Sequence, residues 1–267
     1  MAKFAPVAPL NIAINLANLG ALGDYHLLLA HDVIASEDNK KEYRELYKPI
    51  VDNGGLIIMD NSVVELGGAV NCATVLEAAR VVNAEYIVSA DAFLDMEGTM
   101  NATHRFIQDY YSYQWAEVPR LVGVVQGRTT AECLMCADLY ASIKAFRGIA
   151  IPRCLTPVLG SRMPLAIELY KRYSTRFSLW HLLGFSDDLV DDVATARLPW
   201  IDGIDSAAPL RAGVKGIGFS MPAFDAGPRG SFWETPNSLA NLRRHDIENN
   251  VNLVRKVVQM DPKAFDI

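Results

Sequence analysis

Short apolar runs alternate with longer amphipathic stretches along nearly the whole chain, and this alternation restricts the fold more than any other feature. The runs are HLLLA (26–30), LIIMD (56–60), EYIVSAD (85–91), RLVGVVQG (120–127), GIAIP (148–152), SLWHLLGF (178–185) and WIDGID (200–205), with KGIGF (215–219) as a weaker eighth. They are rich in Ile, Val and Leu and apolar on both faces, as strands covered by helices on both sides must be. Helical periodicity fills 38–53, 72–83, 99–112, 129–145, 161–175, 186–197 and 236–258. Eight strands, most followed by a helix, in 267 residues predict an α/β fold of the (β/α)8, or TIM-barrel, type. A doubly wound open sheet is the competing arrangement. No linker, repeat or compositional break divides the chain, so a single domain is expected over 1–267. The loop-rich stretch 206–235 has the character of a binding loop or lid.

Composition narrows the function classes. With 51% hydrophobic and 21% charged residues, the chain can bury enough surface to offset its ordering entropy, which excludes a disordered protein. Its 25 basic and 31 acidic residues give a net charge of −6. That argues against a nonspecific nucleic-acid coat while leaving room for a local basic stripe. Four cysteines are too few and too irregular for a secreted disulfide framework. No signal-peptide pattern and no run of 18 apolar residues occurs, so the expectation is a cytoplasmic protein without a membrane partner.

Polar residues fall at the ends of the apolar runs. Asp60 ends LIIMD, Asp91 ends EYIVSAD, Gln126 follows LVGVV, and Asp205 ends WIDGID. In a parallel barrel all strand C-termini open on one face, where active sites form. Three carboxylates and an amide would then converge from four strands. An Asp after a strand also serves as a simple helix cap, but Gln126 is a poor cap and Asp205 precedes a loop. Converging carboxylates suit chemistry at a sugar carbon, one attacking the anomeric centre while another moves the proton. Taken alone they equally suit a carboxylate metal site.

The motifs around these residues resemble, in order, those of the queuine/archaeosine tRNA-guanine transglycosylase family. DNSVVELG (60–67) is similar to its Asp motif after the second strand, VVQG (124–127) to its Val-Gln-Gly, and GIAI (148–151) to its Gly-Tyr-Ala-Ile. HLLGF (181–185) resembles its His-Leu-Phe-Gly, and IDSAAPLR (204–211) the Asp-x-x-x-Pro-x-Arg motif that holds the nucleophile. The resemblance implies that Asp205 attacks C1′ of a guanosine nucleotide and that Asp60 is the general acid/base. It implies that Asp91 and Gln126 read the guanine edge, with the backbone at Leu183 and Gly184 completing recognition and Asn61 joining the pocket. Arg211 would meet a phosphate beside the attacked sugar.

Departures from the family pattern shape the rest of the expectation. Family members that act on tRNA carry a zinc site of three Cys and a His after the nucleophile, whereas here no Cys follows Cys154. A barrel without the zinc-binding subdomain is similar to the branch that places 7-deazaguanines into DNA. The implied partners are DNA and a free 7-deazaguanine base such as the 7-cyano form (preQ0), with no cofactor and no metal. The same exchange on tRNA, and a non-catalytic nucleic-acid-binding barrel, are the alternatives. Cys133-x-x-Cys136 reads as helix packing. Ser62, Val63 and Val64 replace the family's Gly-Gly-Phe, so the base-stacking aromatic must come from elsewhere, Phe93 or Phe185. Arg128, Arg153, Arg162, Arg211, Lys215 and Arg229 are the basic residues expected near the mouth to track the strand, with Trp233 as a stacking platform.

Overall fold

The computed structural model describes residues 1–113, 118–186, 188–219 and 230–259, with the side chains of 230 and 231 excepted. Arg229 lies outside the described residues. Eight parallel strands form one sheet: β1 (Lys3–Pro6), β2 (Tyr25–Leu29), β3 (Leu56–Asp60), β4 (Tyr86–Val88), β5 (Arg120–Val124), β6 (Phe146–Pro152), β7 (Leu179–Leu183) and β8 (Gly203–Ser206). Their order is β1-β8-β7-β6-β5-β4-β3-β2, and β1 and β2 lie against each other at the seam. With helices between successive strands, this is a nearly closed barrel of the (β/α)8 type.

One strand differs from expectation. The eighth is Lys3–Pro6, paired with β8 from Lys3↔Gly203 to Pro6↔Ser206, and the segment 215–219 is not a strand. Glycines at 216 and 218 give that segment little strand character. The N–H groups of 215–217 close back on the preceding helix, and a side chain holds the rest: Asn250 Oδ1 accepts from Phe219 N at 2.8 Å, and Asn250 Nδ2 donates to the Ile217 carbonyl at 2.9 Å. Asn250 belongs to the helix Arg244–Gln259, which packs on the helix Ala208–Val214 and on β1.

The core has two parts, as the period-two alternation of each strand requires. Tyr25, Leu27 and Leu29 of β2, Ile58 of β3, Val122 and Val124 of β5 and Leu179 of β7 fill the barrel interior. Their neighbours Leu28, Ile57, Met59, Leu121, Trp180 and Leu182 face the surrounding helices. Among the described residues no helix is long and apolar enough to cross a membrane.

Candidate active site

Inward-facing positions that fill the barrel floor become polar one step further along two strands. Asp60 follows Ile58 on the inner face of β3, and Asp205 follows Gly203 on that of β8. Asp91 lies three residues beyond the end of β4. All three line one cavity of about 340 Å³ at the C-terminal ends of the strands. Leu183, Gly184, Phe93, Arg153, Arg211 and Trp233 line it as well. That volume is in the usual range for a small-ligand pocket.

Asp60 is buried and accepts a 2.8 Å hydrogen bond from Ser62 N. Burial, and then the neighbouring Glu65 carboxylate, hold its carboxyl well above the ordinary carboxylate range. Asp60 is thereby biased towards its protonated form. The turn that presents it is strained, since Ser62 has φ +62°. Asn61 locks the turn: its Oδ1 accepts from Val63 N, and its Nδ2 donates to the Ser89 carbonyl and to Asp91 Oδ1 at 2.9 Å.

Asp91 receives its second bond from Gln126 Nε2, at 2.7 Å on Oδ2. Burial raises its pKa, and the Asn61 and Gln126 amides oppose that rise. Gln126 Oε1 in turn accepts from Leu94 N at 3.0 Å, which holds Leu94 at φ +52°. Asn61 and Gln126 are both fully buried and face Asp91. Gln126, expected to read the guanine edge, is bonded to Asp91 and Leu94 and is not among the residues lining the cavity. The two amides orient Asp91, and Asp91 presents itself to the cavity.

Asp205 is held through one oxygen. Its Oδ1 lies 3.0 Å from His181 Nε2 and accepts from Gly184 N at 3.0 Å. His181 Nδ1 lies 2.8 Å from the Tyr25 hydroxyl. The Tyr25 ring reaches this position across Gly203, where any Cβ would come within 2.2 Å of the ring. Burial, with help from Asp202 and Asp205, pushes the Tyr25 phenol well above its ordinary value.

The basic residues expected at the mouth separate. Arg153 and Arg211 line the cavity, and the Arg153 stem packs over Gly184. Arg128 and Lys215 are exposed and do not line it. Arg162 corrects the expectation: it is fully buried, paired with Asp192 at 2.5 Å, and donates to the carbonyls of Ile151 and Leu183. Of the two aromatic candidates, Phe185 is buried and stacked between Phe4 and Phe219. Phe93 stands at the cavity, 50% exposed. Cys133 and Cys136 are fully buried on the helix Thr130–Ser142, and the Cys136 thiol bonds the Gln126 carbonyl.

Three residues at this site carry no assigned role in the sequence reading. Glu65 lines the cavity with Oε2 buried and unpartnered, and burial followed by the Asp205 charge pushes its pKa up to about 7. The signal for it is its place five residues past Asp60, within the motif DNSVVELG. Strand alternation turns Tyr25 and His181 inward, but their meeting with each other and with Asp205 is set by the closed barrel. No protein-family model matches the chain, and no curated protein matches it.

Proposed function

We propose that this protein is a guanine transglycosylase acting on DNA, replacing guanine with a 7-deazaguanine base (preQ0 or a derivative) through a covalent aspartyl-nucleotide. The observation that carries this reading is the meeting of Asp60, Asp91 and Asp205 at one cavity. Their environments differ as the chemistry needs. Asp60 is biased towards its protonated form, Asp91 is braced by two amides, and Asp205 is aimed by donors on a single oxygen. Two carboxyls with divergent environments support an acid/nucleophile division of labour.

The reaction follows from these parts. The target nucleotide leaves the base stack, at a cost of a few kcal/mol, to bring C1′ to the cavity. Asp205 attacks C1′ as the C1′–N9 bond breaks, and the departing guanine takes the Asp60 proton. Asp91 accepts from the N1–H and exocyclic amine of the purine edge. Arg211 and Arg153 offer charge to the flanking phosphates, and Phe93 and Trp233 offer stacking faces at the mouth. The incoming base loses its N9 proton to Asp60 and attacks C1′ from the face that guanine left. Two inversions give net retention.

The test is incubation with guanine-containing DNA, radiolabelled in its guanine, and preQ0, followed by nucleoside analysis. Label release with incorporation of the 7-deazaguanine is expected from the wild type, and none from a folded Asp205→Asn variant. Exchange on tRNA but not on DNA would move the substrate assignment. No exchange on either would overturn the reading.

A further inference from the structure

Among the described residues, the two donors that reach the Asp205 carboxylate converge on the same oxygen. His181 Nε2 and Gly184 N each lie 3.0 Å from Oδ1. Behind the imidazole, the Tyr25 hydroxyl is 2.8 Å from Nδ1. The three side chains link the cavity to the barrel interior: Asp205 lines the cavity, His181 is 1% exposed, and Tyr25 packs among the apolar interior residues. Gly203 keeps the passage open for the tyrosine ring. A polar chain placed inside an apolar barrel carries a desolvation cost that three hydrophobic residues would avoid.

Resting on the transglycosylase reading, we infer that Tyr25 and His181 are positioning residues that decide which oxygen of Asp205 attacks and then hold the other as the ester carbonyl. The carboxylate oxygen can only accept, so the imidazole donates from Nε2. A neutral ring then offers Nδ1 as an acceptor, and the Tyr25 hydroxyl donates to it. The phenol thereby selects the Nε2–H tautomer. With Oδ1 occupied by two N–H donors, Oδ2 is the oxygen turned to C1′.

The electrons balance through both halves of the exchange. An Oδ2 lone pair forms the O–C1′ bond as the C1′–N9 pair leaves with guanine, which is protonated at the same time by Asp60. Oδ1 becomes the carbonyl oxygen of the ester, still between His181 Nε2–H and Gly184 N–H. In the return step the N9 lone pair of the incoming base forms the new bond, its proton going to Asp60. The O–C1′ pair then reverts to the carboxylate, whose renewed negative charge the same two donors stabilise. Donors fixed where charge develops speed such a departure without rearranging. The chain therefore acts most strongly on the step that breaks the ester.

Two measurements test this independently. Ring ¹⁵N–¹H spectra of the wild-type protein should show His181 neutral and protonated at Nε2, with that signature disturbed in Tyr25→Phe. A ring protonated at Nδ1, or at both nitrogens, overturns the inference whether or not the enzyme exchanges bases. Kinetically, His181→Leu should lower kcat about 10²–10³-fold, the usual effect of losing one such donor. KM for the incoming base should change little. His181→Gln, whose amide N–H replaces the ring donor, should recover activity to within about tenfold of wild type. Tyr25→Phe should fall in between, and it serves as the informative variant if His181→Leu does not fold. Wild-type rates in folded His181→Leu, or a Gln variant no better than Leu, overturn the inference. Absence of exchange by the wild-type enzyme overturns the transglycosylase reading instead, and the ring spectrum still decides the tautomer.

Discussion

A carboxyl whose one oxygen is buried and unpartnered keeps its proton to higher pH than one in water, because the charged form loses hydration without recovering it. Glu65 is in that position, with its pKa pushed up to about 7 from an ordinary 4.5. The folded state thus binds more protons than the unfolded chain between about pH 4.5 and 7, so stability falls as pH rises through that window. Below it the group is protonated in both states and contributes no difference. Glu65→Gln removes the penalty, and its advantage over wild type should grow by on the order of 3 kcal/mol between pH 4.5 and 8. Urea unfolding of the two proteins at both pH values checks this, and a constant difference would refute it. Activity should respond in the opposite sense. The Glu65 charge is the largest neighbouring charge holding the Asp60 proton on, so removing it should move the alkaline limb of base exchange to lower pH. Asp60→Asn should slow exchange about 10²–10⁴-fold at all pH values, as loss of a general acid/base does.

The connection after β7 supplies the Gly184 N–H to Asp205, and a buried ion pair fixes that connection. Arg162 Nη1 donates to the carbonyls of Ile151 and Leu183, tying the ends of β6 and β7 together. Asp192, paired with Arg162, accepts from Ser186 N at 2.6 Å and from Ser186 Oγ at 2.9 Å. Arg162→Leu strands the Asp192 charge and should cost about 3–5 kcal/mol in urea unfolding. The double variant with Asp192→Leu should regain most of that loss, since an apolar pair of similar size is tolerated where a lone charge is not. The same segment marks the reach of sequence reading. Strands β2 to β8 and the convergence of three aspartates were legible because long Ile/Val/Leu runs and terminal polar residues are local signals. Strand β1 was not, because KFAP has four residues and ends in proline, and its pairing with β8 is a long-range fact. The KGIGF run misled because Phe219 is buried in the core while the backbone at Ile217 and Phe219 bonds the Asn250 side chain and not a neighbouring strand. Arg162 looked like a surface cation because its partner lies 30 residues away. Glu65, Tyr25 and His181 escaped because a role for a carboxyl, phenol or imidazole depends on what the closed barrel brings beside it.

A molecule with net charge −6 repels a polyanion at long range. On the proposed reading, association with DNA draws on short-range contacts at the cavity, which Arg153 and Arg211 line. Neutralising phosphates releases condensed cations, so log affinity falls with log salt by about 0.9 per contact on duplex and about 0.7 on single strands. A slope of only two or three contacts is expected here, far shallower than for a protein with a basic face. Arg211→Ala should reduce that slope by about one contact and weaken binding equally across sequences. Arg128 lies away from the cavity, and Arg128→Ala should leave the slope within error of wild type. Fluorescence anisotropy with a labelled oligonucleotide, titrated from low to moderate salt, separates the two variants. Equal loss from both would mean that the strand runs over a wider surface than the cavity rim. No loss from Arg211→Ala would mean that the phosphates pass elsewhere, and that the guanidinium faces the cavity for another purpose.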